Sequence, residues 1–221
     1  MNYITICNAC SQRLSKLCID ASTMYLCVLQ KDQNEEYSRL ESICLDTVNT
    51  APNDVQQDLI RSCFLLAVSS FDSTLRSISY IGGALAYAGI VKRSYLPKKL
   101  KSKYYTSKKY TCAELHSSMG KTLDRTTFLR PDSINMVGRF IGMSEVNMWT
   151  KISQKTNISS DEIKKHLSLI ADRRNLIIHY NDILLGQKLP ITDRNSFINS
   201  LKFLHELKIA FINLLLSEIS A

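Results

Sequence analysis

Apolar residues recur at intervals of three and four positions along most of this 221-residue chain, which is the pattern of helices that bury one face. One such stripe follows Pro52 and predicts a core-facing helix: Leu59, Cys63, Leu66, Ala67, Ser70, Phe71, Thr74, Leu75 and Ile78. Another predicts a long final helix: Phe197, Leu201, Leu204, Leu207, Lys208, Phe211, Leu214 and Leu215. No segment shows convincing strand alternation, so the pattern predicts an all-α fold.

Proline, glycine and capping residues set the expected boundaries of the helices. Pro52 interrupts the chain, and the glycines at 82, 83 and 89 are expected to loosen or end the helix that follows it. Ser159 and Glu162 have the spacing of a capping box, which opens another helix. The other expected N-caps are Asn53 or Asp54, Ser144 and Thr192. The expected helices cover about 4–30, 35–48, 54 to the glycines, 111–123, 131–140, 145–155 and 160 onward, before the final helix.

One segment accounts for the net charge of the chain. Between Lys92 and Lys109 there are eight basic residues and no acidic one, which equals the net charge of +8. Lysines attract phosphates and tyrosines stack on unpaired bases, so this segment predicts contact with RNA, whereas a solvated loop is the alternative for any charge run. The expected RNA-binding residues are Lys98, Lys99, Lys101, Lys103, Tyr104, Tyr105, Lys108 and Lys109. Further candidates for this basic surface are Lys121, Arg125 and Arg130.

The cysteines and the first residues of the chain indicate where the protein is expected to be located. Seven cysteines are an odd number, and in a long helical chain they predict reduced thiols of a cytoplasmic protein. Cys7 and Cys10 have the spacing of half a zinc site, but no second pair follows at a suitable distance, so no metal is expected. Because no apolar run reaches the roughly 18 to 20 residues of a spanning helix and no basic region opens the chain, neither a membrane partner nor a secretory signal is expected.

Three blocks of sequence stand in an order that is typical of one protein family. They are residues 65–75 (LLAVSSFDSTL), residues 127–142 with Trp149 shortly after, and residues 170–183 (IADRRNLIIHYNDI). Together they resemble the RiboL-PSP-HEPN branch of the HEPN superfamily. The resemblance covers roughly residues 55–215, and Trp149 is expected in the core rather than as a platform for bases.

The resemblance implies both a fold and a general activity. HEPN domains are antiparallel helical bundles that usually form homodimers, many of them metal-independent ribonucleases in bacterial conflict systems that need no cofactor. We therefore expect a HEPN domain over 51–221, with a basic loop at about 92–110. Residues 1–50 are expected to form an N-terminal helical extension that packs on this core.

The third block holds the residues that this chemistry needs. Without a metal, RNA is cleaved when its own 2′-hydroxyl attacks the adjacent phosphorus, so a catalyst has to move protons and stabilise negative charge. Histidine is suited to proton transfer because its unperturbed pKa is about 6.5. Arginine is permanently charged and binds two phosphate oxygens at once. His179 is therefore expected to transfer the proton and Arg174 to bind the phosphate.

The geometry of a helix places these two residues on different sides. The polar residues at 3-4-3 spacing share one stripe: Asp172, Asn175, His179 and Asp182. Arg174 lies about 140° around the helix from His179. Either the helix loosens near His179, or a symmetric dimer joins Arg174 and His179 from two copies in a composite site at the two-fold. Asn175 is expected to hold the imidazole or a phosphate oxygen, Asp172 or Asp182 to orient the imidazole, and Arg173 to support the site.

The sequence leaves three functions open. The first is a metal-independent endoribonuclease that serves as a toxin or effector in bacterial anti-phage defence. The second is a non-catalytic HEPN adaptor, or an RNA- or nucleotide-binding subunit of a defence complex, in which the polar stripe is a solvated face. The third is a toxin that a cognate antitoxin or a sensor protein holds inactive. Cleavage of RNA in the presence of a chelator discriminates the first function from the second.

Overall fold

A computed structural model of the protein describes residues 5–6, 9–10, 15–50, 53–98, 100, 110–124, 126–180, 183–184, 187–188 and 194–220. Its helices are α1 (Ser15–Thr50), α2 (Asn53–Ala88), α3 (Cys112–Leu123), α4 (Pro131–Phe140), α5 (Glu145–Thr156), α6 (Ser160–Tyr180) and α7 (Arg194–Ile219). A short 3-10 helix covers Arg93–Tyr95, and strands β1 (Ile183–Leu184) and β2 (Gln187–Lys188) pair antiparallel. The predicted all-α class is confirmed. Among the described residues, the one departure from it is this hairpin, whose two strands have two residues each.

The core is organised around the two longest apolar helices. α7 packs against α1, α2 and α5, while α2 also contacts α3, α4 and α6. Aromatic side chains from distant parts of the chain are fully buried there, among them Phe71, Tyr87, Phe128, Phe140 and Phe211. Each large apolar side chain stabilises the fold by about 1.5 to 3 kcal/mol when it is removed from water. α1 shares this core with the rest, and the division of the chain at residue 50 stays a prediction.

α1 is one continuous helix, so the predicted break between residues 30 and 35 is wrong. Several contacts keep this stretch helical. The Gln33 side chain is buried and its Oε1 lies 3.0 Å from Ser70 Oγ on α2, and Lys31 pairs with Glu35 one turn later at 3.6 Å. The stretch also contains no glycine or proline, so nothing in its backbone opposes the helix.

α2 corrects two further expectations. Leu59 and Leu66, expected in the core, are 38% and 52% exposed. Leu66 lies on the rim of a groove between α1 and α2, where buried Gln33 rather than an apolar side chain faces Ser70. The glycines at 82 and 83 do not end the helix, which continues to Ala88. Gly82 instead allows α2 to pack closely against α4, because a Cβ at this position would lie 2.7 Å from the carbonyl oxygen of Phe140.

Local signals placed the shorter helices correctly. Thr111 and Glu114 form a reciprocal capping box at the start of α3, and the Ser144 side chain caps α5. Trp149 is buried and donates its Nε1–H to Asn135 Oδ1 at 2.7 Å, which confirms its place in the core. Thr192 lies outside the described residues.

A polar cluster joins α7 to α1 and α2, and we call it the Lys208 cluster: Lys208 and Gln33, which are buried, with Glu36 and Ser70, which are half-buried. Lys208 is only 3% exposed, and its Nζ donates to Ser70 Oγ at 3.0 Å and to Glu36 Oε2 at 3.4 Å. Ser70 Oγ also contacts Glu36. Burial lowers the pKa of the Lys208 ammonium, and the Glu36 carboxylate opposes that change.

Candidate functional site

α6 carries the third sequence block, and it begins as the sequence predicted. The Ser159 hydroxyl accepts the backbone N–H of Glu162 at 3.3 Å, and the Glu162 carboxylate accepts the backbone N–H of Ser159 at 3.2 Å. The Ser159 hydroxyl also donates to the Glu162 carboxylate at 2.6 Å, and this bond, together with the one from the Ser159 backbone N–H, lowers the pKa of Glu162. One apolar face of α6 is buried at every position: Ile163, Leu167, Ile170 and Ile177. The capping box and the buried face fix both the start of α6 and its rotation about its own axis.

The motif residues point to two sides of this helix. Asp172 and His179 are exposed and Asn175 is half-buried, whereas Arg174 is half-buried and lies on the same side as the core residue Ile170. The Arg174 guanidinium donates to Asn175 Oδ1 at 3.1 Å. Because α6 continues through His179 to Tyr180, the loosening that would bring Arg174 and His179 together within one chain does not occur. Two copies remain the arrangement that could join them.

Asp172 is placed away from His179 in the same chain. Its Oδ1 accepts Arg130 Nη2 at 2.5 Å, and the two side chains are 58% and 49% exposed, respectively. Asp172 and His179 are seven positions apart on the helix, which amounts to about 10 Å along its axis. Asp172 is therefore too distant to orient the imidazole of its own chain, contrary to one of the roles expected for it. Asn175, one turn from His179, remains within reach.

The two other residues that were expected to support the site are Arg173 and Asp182. Arg173 is half-buried on α6. Asp182 lies outside the described residues, so its predicted role is neither supported nor opposed.

A hydrogen-bonded turn before α4 places Arg130 beside Asp172 on the exposed side of α6. Asp72 Oδ1 accepts the backbone N–H of Phe128 at 2.5 Å, and Arg76 donates to the carbonyl oxygens of Leu123 and of Thr126, the latter at 2.8 Å. Asp72 and Arg76 also pair with each other at 3.0 Å. The three sequence blocks are thus in successive contact, the first through Asp72, the second through Phe128 and Arg130, and the third through Asp172.

Sequence reasoning named Arg130 only as a candidate for a basic surface and did not single out Asp72 or Arg76. The available signal was an acid and a base four positions apart on the largely apolar face of α2. Their partners lie about fifty residues further along the chain, in a turn with no regular pattern. The pairing between them depends on tertiary structure, which the local pattern does not encode.

The basic segment is described only at its ends. Lys98 is exposed, Leu96 and Leu100 are buried, and Tyr110 donates its backbone N–H to Tyr87 Oη at 2.9 Å. The other predicted RNA-binding residues lie outside the described residues: Lys99, Lys101, Lys103, Tyr104, Tyr105, Lys108 and Lys109. Contact between this segment and RNA stays a prediction.

The remaining histidines have packing partners. His116 stacks on Tyr80 with ring centroids 4.8 Å apart, His166 meets Phe203 edge-on at 5.2 Å, and His205 stacks on Tyr37 at 4.5 Å. Burial lowers the pKa of His205, and its Nδ1 has no hydrogen-bond partner among the described residues. Aromatic contacts of this kind are typical of structural side chains. His179 remains the candidate for proton transfer because it is exposed and belongs to the third sequence block.

The described part of the chain also bears on metals and membranes. Within it, no three His, Cys, Asp or Glu side chains are grouped so that they could hold a metal ion. Cys7, part of the half-site spacing, lies outside that part. None of its helices combines the length and apolar character that crossing a lipid bilayer requires.

Comparisons with protein-family models, with curated proteins and with solved structures find no match to this chain. The family resemblance therefore stays a prediction. It depends on the three sequence blocks.

Proposed function

We propose that this protein is a metal-independent endoribonuclease of the HEPN type, acting as a toxin or effector in bacterial anti-phage defence. The observation that carries the proposal is the end of α6, where His179 is exposed on one polar stripe with Asn175 and Arg174 is hydrogen-bonded to that Asn175 at 3.1 Å. A histidine, whose side chain is suited to proton transfer, and a permanent cation thus lie within the last two turns of α6.

The proposed reaction uses the RNA as its own nucleophile. His179 removes the proton of a 2′-hydroxyl, whose oxygen attacks the adjacent phosphorus. The bond from phosphorus to the 5′-oxygen breaks, and the leaving oxygen receives a proton. The products are a 2′,3′-cyclic phosphate and a 5′-hydroxyl. Arg174 stabilises the charge on the phosphate oxygens during attack, because a guanidinium donates two parallel hydrogen bonds to them.

The orientation of α6 makes the proposed site composite. Within one chain, Arg174 is directed towards the core side of the helix and His179 away from it. A two-fold axis beside the end of α6 would place Arg174 of one protomer against His179 of its partner. Ile178, which is 45% exposed beside His179, offers an apolar contact for such an interface.

A second candidate function is a non-catalytic adaptor. If no dimer forms across α6, Arg174 and His179 stay on different sides of the helix, and this separation favours the adaptor. Arg174 would then serve only to hold Asn175, and the polar stripe would be a solvated surface. An antitoxin or a sensor protein that binds here would act on the dimer interface.

The test is cleavage of total RNA and transfer RNA by purified protein in excess EDTA. We expect products with 2′,3′-cyclic phosphate ends, and a loss of about 10²- to 10⁴-fold in rate for His179→Ala, since that is the usual contribution of a proton-transfer group. Arg174→Ala is expected to lose activity to a similar degree. His166→Ala, another exposed histidine on α6, is the matched control and should cut normally. A folded wild-type dimer that cuts no RNA would instead favour the adaptor.

A further inference from the structure

Arg130 is an exposed cation on the same side of α6 as His179. It reaches Asp172 on the polar stripe, at 2.5 Å. The guanidinium carries five N–H donors, of which one is engaged by the Asp172 carboxylate. With 49% of its side chain exposed, the group still offers donors to a ligand that approaches from solvent.

The backbone beneath Arg130 is held from both sides. Phe128 and Leu129, just before it, are buried, and Phe128 is tied to α2 through its backbone N–H and Asp72. Pro131 follows it and restricts Arg130 to an extended conformation, with φ −93° and ψ 144°. The Arg130 carbonyl accepts the first backbone bond of α4, from Ile134 at 3.0 Å. A flexible side chain is thus presented from a fixed backbone position.

The spacing along α6 suits a strand of nucleic acid. Asp172 and His179 share one stripe about 10 Å apart along the helix axis. A phosphodiester strand that lies on this stripe with its scissile phosphate at His179 carries its other phosphates past Arg130. Arginine is well suited to bind it, since the guanidinium fork matches two phosphate oxygens.

We propose that Arg130 binds a backbone phosphate next to the one that is cleaved, and that Asp172 holds the guanidinium in place until RNA arrives. The inference rests on the proposed function, because it assigns a phosphate subsite to the same surface. Asp172 is then a positioning residue for Arg130 rather than a partner of the imidazole.

Two variants separate this role from a merely structural one. Arg130→Ala and Asp172→Asn both break the same ion pair, but only the first removes the cation. If the pair only ties the turn before α4 to α6, the two variants should behave alike. If Arg130 binds phosphate, Arg130→Ala loses affinity and Asp172→Asn keeps it.

The experiment measures binding of a fluorescein-labelled, fully 2′-O-methylated oligonucleotide over a series of salt concentrations, using the full chain. This probe keeps its phosphates but lacks the nucleophile, so it is bound and not cut. We expect Arg130→Ala to bind about tenfold more weakly, as for one charge-assisted hydrogen bond, with a salt slope smaller by about 0.7. Asp172→Asn should bind within about twofold of wild type, since the Arg130 charge remains. Arg139→Ala, at an exposed arginine near the other end of α4, is the matched control and should bind like wild type.

Three results would overturn the inference, and they differ in what else they overturn. If wild type binds the probe and cuts RNA while Arg130→Ala binds normally, the subsite is wrong and the ribonuclease stands. The same holds if Arg130→Ala and Asp172→Asn lose affinity equally. If wild type neither binds the probe nor cuts RNA, both the subsite and the proposed function fail.

Discussion

Two groups of polar side chains in this protein are built in opposite ways. In the Lys208 cluster, a lysine that is 3% exposed meets the carboxylate of Glu36 and the hydroxyl of Ser70, so polar groups from three helices satisfy one another where the helices pack. On the polar stripe of α6, Asp172 and His179 are exposed, and the ion pair of Asp172 with Arg130 lies at the surface.

The two groups differ in what they contribute to stability. A buried ion pair costs several kcal/mol per ion in desolvation and is retained only with good geometry and extra hydrogen bonds. Removing one partner from the Lys208 cluster should therefore destabilise the fold. An exposed pair contributes roughly 0 to 1 kcal/mol, so the stripe on α6 does little for stability. Its side chains remain available to a ligand.

The largest expected effect on stability comes from the Lys208 cluster. Lys208→Met keeps the length of the side chain but leaves the Glu36 carboxylate without its cation. We expect the free energy of unfolding to fall by about 3 kcal/mol, measured by urea denaturation at neutral pH. Lys202→Met, at a lysine on the same helix whose side chain is 64% exposed, should change it little.

A second substitution sharpens this result. Glu36→Gln in the Lys208→Met background removes the stranded charge and should restore part of the lost stability. A Lys208→Met variant as stable as Lys202→Met would show that the cluster does not stabilise the fold.

A smaller effect is expected where α2 holds the turn before α4. Asp72→Ala leaves the backbone N–H of buried Phe128 without its acceptor, which should cost about 1 to 3 kcal/mol. The same variant should weaken RNA binding in the way that Arg130→Ala does, because the turn positions Arg130. Ser73→Ala, at the exposed neighbouring position, serves as the control for both measurements. Unchanged stability in Asp72→Ala would mean that the turn does not depend on this hydrogen bond.

The third prediction concerns the pH dependence of stability at Tyr37 on α1. Burial, together with the acceptor Glu41 at 2.7 Å, raises the pKa of Tyr37 from 10.0 to about 12. A group whose pKa is raised in the folded state stabilises it below the unfolded pKa, and that contribution is lost as pH rises through the folded pKa. The stability of wild type relative to Tyr37→Phe should therefore fall between pH 10 and pH 12. Urea denaturation across this range measures it, and a constant difference would contradict the assignment.

The sequence predicted best the features whose causes are local. The capping box at Ser159, the N-cap at Ser144 and the burial of Lys208 on the core stripe of α7 all follow from residues within a few turns of one another. The continuity of α1 was missed because the partner of Gln33 is Ser70, which lies 37 positions away. Likewise, the pairing of Arg130 with Asp172 spans 42 positions and depends on how α4 and α6 pack.

We propose that Arg174 of one protomer acts with His179 of its partner. The most direct test of this proposal mixes the two inactive variants, Arg174→Ala and His179→Ala, after the protomers have been separated and allowed to reassociate. Half of the dimers are then mixed, and each mixed dimer holds one intact composite site of two, so about one quarter of wild-type RNA cleavage should return. If the mixture stays as inactive as each variant alone, although mixed dimers are present, the composite site is wrong.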